Sequence, residues 1–226
     1  MPASRTARER ARAELTREIK DEARRQLGEV GPDGLSLRAV ARKLGMVSSA
    51  LYRYFPSRDH LLTELIVDAY NAIGEAAERA DDPDAAPRER WLRVWHATRD
   101  WARRNPHEYS LIYGSPVPGY QAPRDTITPA GRVALALARV ASSAELDPAT
   151  PDGPLVPELA EQANRVRAAL DVPLGDKDVV RLMTAWTHLF GTISFELFGQ
   201  YANTADPADA YFDHTAGRMA DFVGLR

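Results

Sequence analysis

The residues able to do chemistry gather between positions 36 and 58. In the run Leu-Ser-Leu-Arg-Ala-Val-Ala-Arg-Lys-Leu-Gly-Met-Val-Ser-Ser-Ala-Leu-Tyr-Arg-Tyr-Phe-Pro-Ser-Arg, positions 35–58, stand Ser48, Ser49, Tyr52, Arg53 and Tyr54, with Arg58 at its end. Hydroxyl and guanidinium groups are the donors that phosphate oxygens and base edges accept. The small side chains of Ser48, Ser49 and Ala50 let a helix N-terminus come close to the floor of a major groove. That end also carries free N–H groups and the positive end of the helix dipole, both suited to phosphate. Other chemistries lack their residues. The chain holds no Gly-x-Gly-x-x-Gly, no Gly-x-x-x-x-Gly-Lys and no Gly-x-Ser-x-Gly. It has no cysteine, and its histidines (His60, His96, His107, His188, His214) are never spaced as His-x-x-x-His. No catalytic group, metal site or cofactor is expected.

Short helices must position the donors. Ser36 is a good N-cap, and Leu37, Val40, Ala41 and Leu44 then recur on one helical face. Gly45 ends that helix. A second helix follows, capped by Ser48 or Ser49, with Leu51 and Phe55 inward. Pro56-Ser57 closes it, and Ser57 caps a longer helix with Asp59 in its first turn. Two short helices joined at a glycine, the second carrying polar residues outward, make a helix-turn-helix.

With these residues in place, the segment closely resembles the DNA-binding domain of TetR-type bacterial transcription regulators. The similarity spans about residues 12–62. It rests on Leu-Ser-Leu-Arg-Ala-Val-Ala-Arg-Lys-Leu-Gly followed by Ser-Ser-Ala-Leu-Tyr-Arg-Tyr-Phe-Pro-Ser-Arg-Asp-His-Leu-Leu. The resemblance implies that Ser36 and Arg38 meet the DNA backbone or groove edge, that Ser48, Ser49 and Tyr54 face bases, and that Tyr52 and Arg58 clamp phosphates. Met46-Val47 departs from the more polar pair of many members.

The charge distribution agrees with a nucleic-acid partner. Net charge is −3, yet residues 1–60 hold 13 Lys and Arg against 8 Asp and Glu, leaving a balance of −8 for the remainder. A basic quarter on an acidic body is an electrostatic footprint that the whole-chain charge conceals. Hydrophobic content of 44% and charged content of 27% fit an ordinary globular protein, and no apolar run reaches membrane-spanning length. The first residues are charged, unlike a leader sequence. A cytoplasmic protein with no membrane partner is expected.

Residues 1–10 lack periodicity and read as a flexible arm whose arginines can trail along DNA. From Ala11, an apolar face of Leu15, Ile19, Ala23, Leu27 and Val30 predicts a first helix that braces the helix-turn-helix. The helix-turn-helix domain thus occupies 11–58, and a linking helix occupies 57–80, with no break between the basic head and the acidic body. The remainder, 81–226, reads as a helical dimerisation and ligand-binding domain. Helices are expected near 88–104, 106–113, 129–145, 157–170, 176–202 and 207–223. Two proline clusters interrupt them, at 114–123 and at Pro148, Pro151 and Pro154. The first cluster reads as a rigid connector or as the wall of a pocket.

In 176–202, Trp186, Phe190, Ile193 and Leu197 share one face, and Gly191, Phe195 and Phe198 share roughly the opposite one. A helix apolar on nearly all sides must be covered on all sides, most simply by a second subunit. Phe212, Met219 and Phe222 add a stripe on the last helix. These helices resemble the paired C-terminal helices of the TetR-type dimer bundle, and Trp186-x-His188-x-x-Gly191 resembles a Trp-His-Gly subgroup. The resemblance implies an interface of Phe195, Phe198, Phe212, Met219 and Phe222. Aromatics Trp95, Tyr109, Tyr113, Trp186 and Phe190, with His96, Arg99 or His188 as polar anchors, either fill the core or line an effector cavity.

The sequence therefore describes an all-α protein: an N-terminal three-helix helix-turn-helix domain followed by a helical C-terminal domain. Its expected function is that of a homodimeric repressor on palindromic double-stranded operator DNA, released by an unidentified small apolar effector. A helical protein-binding module and a helical-bundle enzyme are the alternatives.

Overall fold

Thr6 and Glu9 start the first helix. The Thr6 hydroxyl accepts the Glu9 N–H, and the Glu9 carboxylate accepts the Thr6 N–H, a reciprocal capping box. Helix α1 (Ala7–Val30) therefore begins four residues before Ala11, where the apolar periodicity starts. The computed structural model describes residues 6–148 and 153–226. Among them every regular element is a helix: α1, α2 (Leu37–Lys43), α3 (Ser48–Leu51), α4 (Arg58–Ala80), α5 (Pro87–Arg104), α6 (Pro106–Tyr113), α7 (Ile127–Ala130), α8 (Arg132–Ser142), α9 (Pro157–Leu170), α10 (Asp176–Leu197) and α11 (Asp209–Val223), with a 3-10 turn at Arg124–Thr126. The all-α class is as the sequence predicts. Residues 1–5 of the expected arm and Pro151 of the second proline cluster lie outside the described residues.

The chain divides into two compact units. The first runs to Ala69 and includes His107–Thr126; the second comprises Tyr70–Pro106 and Ile127–Arg226. The sequence division at residue 81 assigns 107–126 to the C-terminal domain, whereas the fold groups this segment with the helix-turn-helix. Within the first unit, Ile19, Ala23 and Leu27 of α1, Val40 and Ala41 of α2, Leu51, Phe55, and Leu61, Leu62 and Leu65 of α4 are buried. Charges brace this core at its edge. Lys20 donates to Glu64 and Asp68, and Arg24 reaches Asp21, Asp68 and Glu108. The proline-rich stretch is anchored through Tyr120, whose hydroxyl lies 2.8 Å from that of Thr63 on α4.

In the second unit, α5 packs on α8 and α11, and α10 packs on α8, α9 and α11. Trp91, Trp95, Leu137, Leu189 and Phe212 are fully buried there. The Trp91 indole donates to the Ala216 carbonyl at 3.3 Å. Arg132 joins α8 to α4: it forks onto Glu78 at 2.9 and 2.5 Å and also donates to Asn71. Gly74 permits that crossing, because a Cβ there would stand 2.5 Å from the Arg132 Cβ. The helix expected over 129–145 is divided at Gly131 into α7 and α8. Helix α10 stops at Leu197, five residues before its predicted end, where Phe198 caps it and Gly199 turns at φ +79°. Among the described residues no helix is long and apolar enough to cross a membrane.

Candidate nucleic-acid interface

The Ser36 hydroxyl accepts the Ala39 N–H and starts α2 where the sequence places it. At the far end, Gly45 takes φ +66°, a left-handed conformation that glycine enters without a Cβ clash. The Met46 N–H then reaches back to the Ala41 carbonyl at 2.8 Å. This closes the turn and points the chain into α3. Helix α3 is a single turn, continued by turns in which the N–H groups of Tyr54 and Phe55 both bond the Leu51 carbonyl. Leu51 and Phe55 are buried beneath it. The Ser57 hydroxyl accepts the His60 N–H and opens α4 as expected.

One capping expectation is corrected. Neither Ser48 nor Ser49 caps α3; Val47 occupies the N-cap and makes no side-chain cap bond. Both serines instead sit inside the first turn, Ser48 half-buried and Ser49 exposed. Val47 is 70% exposed, a large apolar side chain at the leading end of the recognition turn. Tyr52 and Arg53 are exposed, as is Arg38 on α2, while Tyr54 is half-buried. The guanidinium carbon of Arg12 lies 5.1 Å from the Tyr54 ring centroid, over its face. Arg58 is also more committed than the sequence implies. Its Nη2 donates to the Pro32 carbonyl at 2.7 Å, and Nη1 lies 3.6 Å from Asp59, so it ties the α1–α2 turn to the start of α4.

The electrostatics of the unit sort its cations into two sets. Arg17, Lys20, Arg24 and Arg25 on α1 are each paired with carboxylates. Hydrogen bonding from Arg25 holds the Glu22 carboxyl below its ordinary range against the opposing effect of burial. Arg8 and Arg12 at the start of α1, Arg38 and Arg42 on α2, and Arg53 after α3 form no ion pair with any described residue. Sequence reasoning placed Arg8 only in a flexible arm trailing along DNA and missed Arg12 as a site residue. The Thr-x-x-Glu box at 6–9 is the signal that places them on an ordered helix.

The residues expected at an effector site are divided between the two units. Tyr109 and Tyr113 belong to the first unit, their tilted rings 5.2 Å apart, whereas Trp95, His96, Arg99, Trp186, His188 and Phe190 belong to the second. Trp95 is buried in the core beside Trp91 and Phe212, 5.9 Å from each. The donors of Arg99 are taken by Glu196 at 2.7 and 2.8 Å and by Asp209 at 2.8 Å. His96 is half-buried, 3.4 Å from Asp213, and His188 is exposed with Nδ1 3.2 Å from the Thr184 carbonyl. Trp186 meets Phe190 edge-on at 5.4 Å and lines a separate apolar cleft of about 270 Å³ with Val166, Leu170, Leu182 and Met183.

Among the expected interface residues, Phe212 is the one corrected. It is fully buried under Arg99, whose guanidinium lies 4.6 Å from the ring centroid, so it belongs to the subunit core. Phe195, Phe198 and Phe222 are exposed, and Met219 is half-buried.

Comparison with known proteins agrees with this architecture. Residues 19–65 match the family described as bacterial regulatory proteins, tetR family, and residues 91–219 match the tetracyclin repressor-like C-terminal domain. The chain is 42% identical over 198 residues to the HTH-type transcriptional regulator Rv1816 of Mycobacterium tuberculosis, covering 84% of each protein. The same identity and coverage relate it to the HTH-type transcriptional regulator Mb1846 of Mycobacterium bovis. The crystal structure of regulatory protein SCO4313 superposes with a TM-score of 0.81 at 34% identity, covering 95% of this chain and 98% of that one. With a helix-turn-helix, a helical second unit and both family domains matched, the chain belongs to the TetR family of transcriptional regulators and carries its DNA-binding helix-turn-helix.

Proposed function

We propose that this regulator is a homodimeric repressor that holds a palindromic operator until a small, mainly apolar effector releases it. The observation that carries the DNA half is the recognition turn itself. Ser49, Tyr52 and Arg53 are exposed there, and Arg53 has no acidic partner among the described residues. In this reading Ser48, Ser49 and Tyr54 read bases, Ser36, Arg38, Tyr52 and Arg53 hold backbone, and Arg58 acts mainly by fixing α4 to the turn before α2.

The dimer reading is supported by the outer side of α10 and α11. Thr187, His188, Gly191, Phe195 and Phe198 are exposed along α10 and its C-cap, with Tyr211 and Phe222 on α11. A Cβ at Gly191 would meet nothing within 4 Å, so an approaching backbone finds room beside an apolar rim. Two recognition turns reading one face of DNA need a separation of about 34 Å, which requires a fixed dimer. Phe195→Glu is expected to convert dimer to folded monomer in sedimentation, whereas Phe212→Glu is expected to unfold the subunit. A monomeric wild type at micromolar concentration contradicts the dimer.

The effector reading is supported by the cleft at Trp186. Its walls are apolar, and the Trp186 indole N–H is buried without a hydrogen-bond partner among the described residues. That chemistry suits a hydrophobic molecule carrying one hydrogen-bond acceptor. By linkage, an effector that lowers operator affinity is itself bound more weakly by the operator complex, by the same factor. Selection of duplexes from a random pool by purified protein tests the whole reading. A palindromic consensus with two half-sites is expected; recovery of no preferred sequence contradicts it.

A further inference from the structure

We infer that Arg8 and Arg12 of α1, together with Arg53, form a DNA phosphate clamp beside the recognition turn. This rests on the DNA-binding reading of α2 and α3 and extends it to a helix outside the helix-turn-helix.

The capping box fixes the first turn of α1 and so the direction of its side chains. Positions 8, 11, 12 and 15 then fall on one face by the three-and-four spacing of a helix. That face looks onto the recognition segment. Arg8, Arg12 and Leu15 line one side of a cleft of about 360 Å³, and Met46, Arg53 and Tyr54 line the other. No acidic residue lines it. Glu9, the nearest acid in sequence, is occupied with the Thr6 N–H, and Glu14 pairs with Arg17.

Like charges four residues apart on a helix are unfavourable without a counter-charge. The same helix supplies an acid to each of its later cations, so the omission is local to this end. The Tyr54 ring gives the cluster a fixed geometry. A guanidinium over an aromatic face is held by cation–π attraction while its N–H donors, which lie in its own plane, stay available. Arg12 is thus held at the cleft with its hydrogen-bonding edge unspent. The anion that fits is a phosphodiester of the duplex that the recognition turn engages, because Arg53 and Tyr54 of that turn form the opposite wall. A single turn of recognition helix offers few backbone contacts of its own. Positioning by a second helix supplies what α3 lacks.

The test uses full-length protein with two probes: the duplex recovered by selection and an unrelated duplex of equal length. Arg8→Ala and Arg12→Ala replace exposed residues with the best helix former, and circular dichroism checks that both variants stay folded. Each is expected to weaken binding to both duplexes by a similar factor, about tenfold at low salt, and to lower the salt slope by about one. Arg12→Lys, which keeps the charge but loses the guanidinium over the Tyr54 ring, is expected to retain most of the slope. Site preference from repeated selection should be unchanged for Arg8→Ala. If both alanine variants keep the wild-type slope while Ser49→Ala still alters the selected sequence, the clamp is overturned and the helix-turn-helix reading stands. If the wild type binds no duplex, both fall together.

Discussion

Arginine serves two opposite purposes in this chain, and the contrast between its regions is informative. In the second unit, Arg88 reaches Asp221, Arg90 reaches Asp81, Arg99 reaches Glu196 and Asp209, and Arg132 reaches Glu78, each holding one segment to another. Burial alone would make the Arg99 charge harder to keep, yet Glu196 and Asp209 outweigh it and hold the guanidinium above its ordinary pKa. Around the recognition turn, Arg8, Arg12, Arg38, Arg42 and Arg53 are given no carboxylate among the described residues. In the proposed reading the paired arginines are structural, and the unpaired ones around the recognition turn await an anion that the subunit does not contain.

The largest expected effect breaks the contrast from the structural side. Arg99 is 4% exposed, and removing it leaves Glu196, itself largely buried, with only the longer contact to Arg103 at 3.7 Å. Arg99→Ala is expected to cost about 3–5 kcal/mol in chemical denaturation. A change below about 1 kcal/mol sinks the structural assignment of that arginine, since ordinary surface substitutions fall within that range.

A middle-sized effect comes from Arg132. Arg132→Gln should cost about 1.5–3 kcal/mol at neutral pH through its hydrogen bonds to a charged partner. Hydrogen bonding from Arg132 holds the Glu78 carboxyl below its ordinary value in the folded state. Stability from that depression is therefore fully present above the ordinary carboxylate pKa and is lost as pH falls through the folded value. Melting the variant and the wild type across the acid range should give a flatter acid limb for Arg132→Gln; parallel limbs refute the coupling.

Smaller still is the change at the reading surface. Ser49→Ala should leave stability unaltered and shift preference among bases by about 1–3 kcal/mol at one operator position, measured by competition between point-variant duplexes. The smallest effect has the opposite sign to the first. Arg8→Ala relieves a like-charge neighbour, so the DNA-free protein should gain about 0.2–0.5 kcal/mol at low salt. A loss of stability means that Arg8 has a structural partner after all.

How far these roles are legible in the sequence depends on the range of the interaction. Local signals are legible: the Ser36 cap, the Gly45 turn and the Ser57 cap all lie within four residues of what they control, and the helices of the second unit start or stop near their prolines. The face of Phe212 is not legible in that way. Its stripe on α11 is equally consistent with a core and with an interface, and Arg99, 113 positions away, decides between them by lying over the ring. The same holds for the aromatics: Tyr109 and Trp95 lie 14 residues apart in sequence, yet they enter different units. Arg8 and Arg12 stand between the two cases. Their helix is fixed locally by Thr6 and Glu9, but their purpose emerges only once Tyr54 folds against them.

The salt dependence of duplex binding for two matched variants tests the two uses of arginine most directly. Arg53→Ala removes an unpaired cation at the recognition turn, and Arg17→Ala removes one already paired with Glu14 on α1. The plot of affinity against salt should lose about one unit of slope for Arg53→Ala and keep the wild-type slope for Arg17→Ala. Equal slopes for the two variants contradict the claim that the arginines left without acids around the recognition turn are the ones that meet DNA.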